Sequence, residues 1–386
     1  MILRNCNMAE FIRRIEGKKT ICFGAGMVLQ MLSRDFPKYQ IEKRILYIVD
    51  NNSNLWGSEV VLSETAVPVY SPEKLIADAC RDIVVLISSW KAAPEIFEQL
   101  NANSRLDIVE CYIGSLLHET ESRNLPYSLP AGYRVNLNPV IPKVIHYFWL
   151  GSNPLPERHK RFIDGWRKFC PDYEIVEWNE NNYDINKHQY TKDAALAGRW
   201  SKVVTYARFD VIYNYGGICM DTDVEIVKPL DELLYNDAYI GFSSGLRINS
   251  GSGFGAVKNF ELFRDMRHNY DGTLFNSDDT PNLTSNSAFE IDFMLKRGLN
   301  RNGDFQMLDR LTVYPLECFD PKPNSVHSDN GSLWATENTF TIHHYDTTLA
   351  DKERETIRTS LGKLYEAALI NEKKHTDMAK KGVQGV

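Results

Sequence analysis

Residues 82–89, DIVVLISS, form a β-branched apolar run with no polar alternation, and no other stretch limits the fold as much. A strand with one wet face alternates polar and apolar residues. A strand that is apolar on both faces must be covered on both, and the usual cover is helices over a parallel sheet. The neighbouring sequence supplies those helices. KTICFGAG (19–26) is a short apolar run closed by glycines, and MVLQMLSRDF (27–36) follows it with helical periodicity. ILYIVDNN (45–52) is a second apolar run, ending in an acid and amides. SPEKLIADAC (71–80) opens with Ser-Pro-Glu, a helix-start signal. A helix at APEIFEQL (93–100) and a strand at DIVECYI (107–113) complete the pattern. Such alternation predicts an α/β domain with a Rossmann-like parallel sheet over residues 1–118.

Residues 119–139, ETESRNLPYSLPAGYRVNLNP, interrupt the rhythm with three prolines, a glycine and many polar residues, and read as a linker. The pattern restarts in a second domain, residues 140–350. KVIHYFWLG (143–151) is an aromatic strand, RHKRFIDGWRKFC (158–170) a helix and YEIVEWN (173–179) a strand. AALAGRWSKVVTYARFDVIYNYGG (194–217) reads as one long helix ended by a left-handed cap at Gly216-Gly217. ICMDTDVEIV (218–227) reads as one strand, and glycine-rich loops follow at 243–259. A charged helix and tail, residues 351–386, close the chain.

At 386 residues, one ordinary core is not enough. The 43% hydrophobic and 25% charged content is that of a folded globular chain, not a disordered or collagen-like one. A net charge of −7 with no basic stripe argues against nucleic acid as a partner. Seven scattered cysteines with no CxxC pair fit neither a disulfide framework nor a structural zinc site, and suit a reducing cytoplasm. No secretory signal is evident at the N-terminus, and no apolar run approaches the ~20 residues that span a bilayer. Lys373, Lys374, Lys380 and Lys381 make either a solvated tail or a peripheral contact with anionic lipid at the inner membrane face.

Chemistry concentrates at Asp221-Thr222-Asp223. On a continuous strand the two acids would share a face. Paired carboxylates beside an apolar run are costly to keep ionised without a cation. Oxygen ligation suits Mg²⁺ or Mn²⁺, which bridges protein carboxylates to substrate phosphates. Taken alone the motif is weak, since paired acids at a strand end are commonly solvated turn residues.

Its context, YARFDVIYNYGGICMDTDVEIVKPLD (206–231), resembles the DXD glycosyltransferases of family 32, found in capsular and cell-wall polysaccharide synthesis. It is more distantly similar to the glucosylating domains of clostridial toxins. IPKVIHYFWLG (141–151), PDYEIVEWNE (171–180), VYPLECFDP (313–321) and TFTIHHYD (339–346) extend the resemblance in order. It implies a GT-A fold and retaining transfer of a hexose from a UDP- or GDP-sugar to a glycan or polyprenyl-linked acceptor. The cation would assist departure of the nucleoside diphosphate, and the acceptor hydroxyl would attack from the same face.

Residue roles carry over in the same way. Phe148 and Trp149 would line the nucleotide pocket, Trp149 stacking on the base for ~1–3 kcal/mol; the plain alternative is that Trp149 is core. Arg208 would face the donor with its fixed fork of donors; the alternative is a surface arginine paired with Asp210. One of His343 and His344, His343 rather than His344, would join Asp221 and Asp223 at the metal or contact phosphate. Asn249, Ser250 and Glu290 are further pocket-facing residues. Three positions depart from the family pattern. Thr205 replaces an acid expected at the donor sugar, Cys219 replaces a tyrosine, and HHYDTTL lacks the usual tryptophan. They keep open a second reading, a catalytically weak sugar-nucleotide binding or scaffold protein.

In the first domain, Gly24 and Gly26 lie between a strand and a helix, and Asp50 ends the next strand, an arrangement that resembles dinucleotide-binding turns. Leu29 stands where the third glycine would fall, so the site is either an accessory nucleotide site or purely structural. A third reading, a nucleotide-dependent oxidoreductase, rests on that turn alone.

Overall fold

A computed structural model describes residues 1–25, 27–35, 37–62, 64–123, 129–151, 153–271, 286–323, 334–346 and 352–383. Gly26 lies outside them. The chain forms two compact units, Met1–Asn124 with Pro323–Ser328 and Thr347–Val386, and Leu125–Lys322 with Asp329–Asp346.

The first unit holds strands β1 (Ile2–Arg4), β2 (Lys19–Phe23), β3 (Ile45–Val49), β4 (Glu59–Leu62), β5 (Thr65–Tyr70), β6 (Ile83–Ile87) and β7 (Glu110–Ile113). They form one sheet in the order β1-β7-β6-β2-β3-β5-β4. Every pairing is parallel except the antiparallel β4–β5 ladder at one edge. Every residue of β6, the strand inside DIVVLISS, is buried, as expected of a strand covered on both faces. The helix Lys352–Val383 belongs to this unit, not to a separate tail. Arg14 grips Glu372 through two hydrogen bonds of 2.8 and 2.9 Å, and Asn371 donates to the Leu3 carbonyl at 3.0 Å. Of the stretch read as a linker, residues 119–123 finish the helix Gly114–Arg123, and Asn136 donates its backbone N–H to the Tyr235 carbonyl.

The second unit contains β8 (Val144–Phe148), β9 (Glu174–Trp178), β10 (Gly217–Cys219), β11 (Val224–Ile226), β12 (Ala238–Ser243), β13 (Arg247–Ile248), β14 (Phe254–Ala256), β15 (Gln306–Leu308), β16 (Leu311–Tyr314) and β17 (Thr341–His343). Its main sheet runs β15-β16-β12-β14-β10-β8-β9, with β13 paired to β12, and mixes parallel and antiparallel ladders. This is a mixed α/β sheet. Alternation along β8 sends Tyr147 into a core with Trp166 and Met220, and Phe148 into the other with Phe209 and Phe254.

Two local readings change. The stretch 194–217 is two helices, Gln189–Leu196 and Trp200–Tyr215, parted at Gly198, whose φ of +67° is the left-handed conformation that stops the first. ICMDTDVEIV is two strands of different sheets: β10 in the main sheet, and β11 antiparallel to β17 in a separate ribbon. The chain turns between them, at the acids.

Candidate active site

Asp221 and Asp223 converge because of that turn, not because of strand alternation. The Val224 N–H donates to the Asp221 carbonyl at 3.2 Å, and the Asp221 N–H donates to Gly251 at 3.0 Å. Gly251 packs so closely that a Cβ there would collide with Asp221 Oδ2. The glycine of the SGSG loop is therefore what lets the loop lie against the acid.

The register of β11 with β17 brings in the third group. Val224 pairs with His343, which places the imidazole beside the acids. His343 Nε2 lies 3.3 Å from Asp223 Oδ1 and 4.0 Å from Asp221 Oδ2. One ligand atom from each of Asp221, Asp223 and His343 falls within a 4.8 Å spread. Two carboxylates and an imidazole are a donor set that fits a divalent ion. The far edge of the imidazole is also held: Nδ1 lies 3.1 Å from Ser252 Oγ and 3.3 Å from Asn249 Nδ2. Such outer contacts orient a metal-binding histidine. Tyr345 stacks on the same ring at 4.0 Å between centroids.

The electrostatics agree with the geometry. Burial works against the Asp223 charge, but the His343 ring, His159 and the Asp346 N–H overcome it and hold the carboxyl well below the usual range. Burial likewise works against a charge on His343, and Asp223 and Asp221 outweigh it, raising its pKa above the ordinary histidine value.

Arg208 is buried, which removes the surface-arginine alternative. Its NH2 donates to Asp221 Oδ1 at 2.7 Å and its NH1 to Ser250 Oγ at 3.1 Å. Asp210, the proposed alternative partner, is instead taken by Arg267 at 2.8 Å and by Lys187. Ser250 in turn donates to Glu290.

The remaining positions divide. Trp149 is half-buried, with its Nε1 on the Asn153 carbonyl at 2.7 Å and its ring edge-on to His159. His159 Nδ1 lies 2.8 Å from Thr222 Oγ1, so Trp149 borders the DxD turn. Phe148 does not; it sits in the core, stacked on Trp178. Its reading as a pocket residue does not fit this placement: strand alternation puts Phe148 in the core of Phe209 and Phe254, while Trp149 packs against the opposite core, that of Tyr147 and Trp166. Thr205 Oγ1 donates to the Ser201 carbonyl one turn back, at 2.8 Å. His344 points away from the acids, between Glu225 at 2.9 Å and Arg158 at 2.9 Å, stacked on Phe162. Cys219 is core, its thiol pushed up to about 12 by burial.

Sequence reasoning missed His159 and Asp346. Asp346 accepts from Arg158 at 2.6 Å, faces His159 Nε2 at 3.4 Å and donates its backbone N–H to Asp223 Oδ2 at 2.8 Å. Asp346 lies within the quoted HHYD, a visible signal; His159 sits on a helix whose residues offer none.

Residues 156–240 match the family model described as the glycosyltransferase sugar-binding region containing DXD motif. This stretch is a DXD glycosyltransferase region. Inositol phosphoceramide mannosyltransferase 1 of Schizosaccharomyces pombe is 29% identical over 107 residues, 26% of this chain and 33% of that protein. Mannosyltransferase 3 of the same organism is 32% identical over 117 residues, 27% and 30% of the two chains. The chain thus spans about a third of the length of these relatives. Among solved structures, PaToxG glycosyltransferase aligns over 40% of this chain and 68% of its own at 17% identity and a TM-score of 0.33. A glycosyltransferase involved in glycosylating the major capsid of PBCV-1 aligns over 55% and 98% at 12% identity, TM-score 0.31.

In the first unit, Gly24 takes a φ of +95° after β2. Asp50 Oδ2 accepts the Ala25 N–H at 2.9 Å and Oδ1 accepts the Asn52 N–H at 2.8 Å. Among the described residues no helix is long and apolar enough to cross a membrane.

Proposed function

We propose that this chain is a metal-dependent, retaining glycosyltransferase. It would move a hexose from a nucleoside-diphosphate sugar to a hydroxyl of a glycan or lipid-linked acceptor, in the assembly of cell-surface polysaccharide. The observation that carries the proposal is the convergence of Asp221, Asp223 and His343 within a 4.8 Å spread, with both aspartates inside the matched DXD glycosyltransferase region. Mg²⁺ or Mn²⁺ held by these three groups would neutralise charge on the diphosphate leaving group.

The chain's own residues do the rest. Ser252 and Asn249 fix the His343 ring from behind. Asp346 and His159 hold Asp223 and Thr222 from the other side. Arg208, anchored on Asp221, offers a planar fork suited to diphosphate oxygens. Trp149, beside this cluster, supplies an indole for the base. With Thr205 bonded to its own helix, the chain lacks an acid there, so the sugar is read by other groups.

A panel of UDP- and GDP-sugars, GDP-mannose among them in view of the mannosyltransferase relatives, tests the proposal with Mn²⁺ or Mg²⁺. Release of nucleoside diphosphate that disappears in Asp223→Ala is the expected result. Undiminished release after neutral substitution of both Asp221 and Asp223 would overturn it. Metal-dependent donor binding without any turnover would favour a sugar-nucleotide binding protein instead.

A further inference from the structure

Glu290, on the helix Asn286–Leu295, is 1% exposed, and a carboxylate taken that far from water has to be held by hydrogen bonds. Both of its oxygens are held by a single residue. The Ser250 N–H donates to Oε2 at 2.9 Å and the Ser250 hydroxyl to Oε1 at 2.5 Å. With its proton committed to Glu290, Ser250 Oγ presents only lone pairs on its other side, where Arg208 NH1 donates at 3.1 Å. The second arm of the guanidinium reaches Asp221 at 2.7 Å, and Nε faces the Val204 carbonyl of its own helix at 3.4 Å. The bonds therefore run in one direction, from Arg208 through Ser250 to Glu290, and they end on an acceptor.

We infer that Glu290 is a positioning residue of this site, which through Ser250 fixes the Arg208 guanidinium at the place where it meets Asp221 and the donor diphosphate. The inference rests on the donor-binding reading above. Its physical content is charge balance. Among the described residues Asp221 is the only carboxylate that Arg208 touches directly, and a divalent ion would compete for that same group. Glu290, one hydroxyl away, keeps the guanidinium compensated when Asp221 turns to a cation, so the fork stays in place. A carboxylate kept only for its shape would tolerate an amide. Here an amide NH2 cannot accept from Ser250 and competes with Arg208 for the hydroxyl lone pairs. Burial pushes the Glu290 carboxyl up to about 7, against the pull of Arg208 and Ser250; Asp221 and the Tyr270 phenol are the other ionisable groups facing it.

The test uses the full chain with Glu290→Gln, Ser250→Ala and, as a control, the exposed Glu261→Gln. Donor turnover in Glu290→Gln is expected to lose kcat about 10- to 100-fold, the range for outer-shell partners, with donor KM far less affected. Wild-type turnover should fall as pH drops through about 7, where Glu290 gains a proton, and that fall is expected to vanish in Glu290→Gln. Wild-type kcat and an unchanged pH profile would overturn the inference. Should Glu290→Gln not fold, Ser250→Ala decides alone: it keeps the backbone bond to Glu290, cuts the link to Arg208 and should show the same kcat loss, whereas wild-type kcat overturns the inference. If the wild-type chain turns over no nucleotide sugar, the donor reading fails separately. A crystal structure of Ser250→Ala then judges the relay: Arg208 released from Asp221 supports it, and Arg208 unmoved rejects it.

Discussion

Each unit sets an aspartate after a strand of its sheet and beside a glycine-bearing loop, yet the carboxylates meet different company. Asp50, after β3, spends one oxygen on the Ala25 N–H and the other on the Asn52 N–H, both backbone donors of the loops it joins. Asp221 and Asp223, after β10, face each other, an imidazole and a guanidinium. An acid used up by its own main chain stabilises a turn. Acids whose oxygens converge on one another and on an imidazole make a donor set that fits a cation. An acid after a strand is thus weak evidence until its hydrogen-bond partners are known.

That contrast can be broken experimentally. The largest effect should come from Asp223→Ala, which removes donor turnover on the order of 10³-fold, the scale of several kcal/mol of charge stabilisation. Measured nucleoside-diphosphate release within a few-fold of wild type would erase the distinction. Next, His343→Ala should weaken Mn²⁺ binding by roughly 100-fold in calorimetry while His344→Ala barely changes it. Equal losses would mean that the ribbon register does not select the ligand.

Acidity supplies a smaller, continuous test. The raised pKa of His343 means that its proton persists to higher pH than an ordinary histidine's, and a cation must displace it. Mn²⁺ affinity should therefore fall from pH 8 to pH 6, by at most about tenfold per unit while one proton is displaced. A flat affinity would exclude the imidazole as a ligand. Least of all, Asp50→Ala should cost about 1 kcal/mol in urea unfolding, through two N–H groups left without their acceptor, and leave donor turnover unchanged. Loss of turnover in that variant would give the first unit a part in the chemistry.

Much of this was readable in advance, and the failures have local causes. The parallel sheet of the first unit is legible because β6 is apolar at every position, a signal contained within one strand. Ile2–Arg4 is too short to show a period, and the edge strand β4 and its partner β5 have no helix between them to announce them. The acids were legible as a pair, but not the turn that joins them. Apolar residues flank the turn on both sides, and two short strands then look like one. Alternation assigns Phe148 and Trp149 to opposite faces of β8, but each face meets a core, so alternation gives no sign of which one borders the site. The contacts of His159 with Thr222 and of Glu290 with Ser250 join elements far apart in the chain, which periodicity cannot see.

The narrow ribbon of β11 and β17 has a consequence for biosynthesis. Asp346, which caps Asp223, follows it by 123 residues, and His343 arrives on the same late strand. A chain growing on the ribosome exposes both aspartates long before the imidazole that completes the trio emerges. On the metal-dependent reading proposed above, ion capture would be deferred until nearly the whole second unit has been synthesised, and a truncated translation product would carry the motif without the grip.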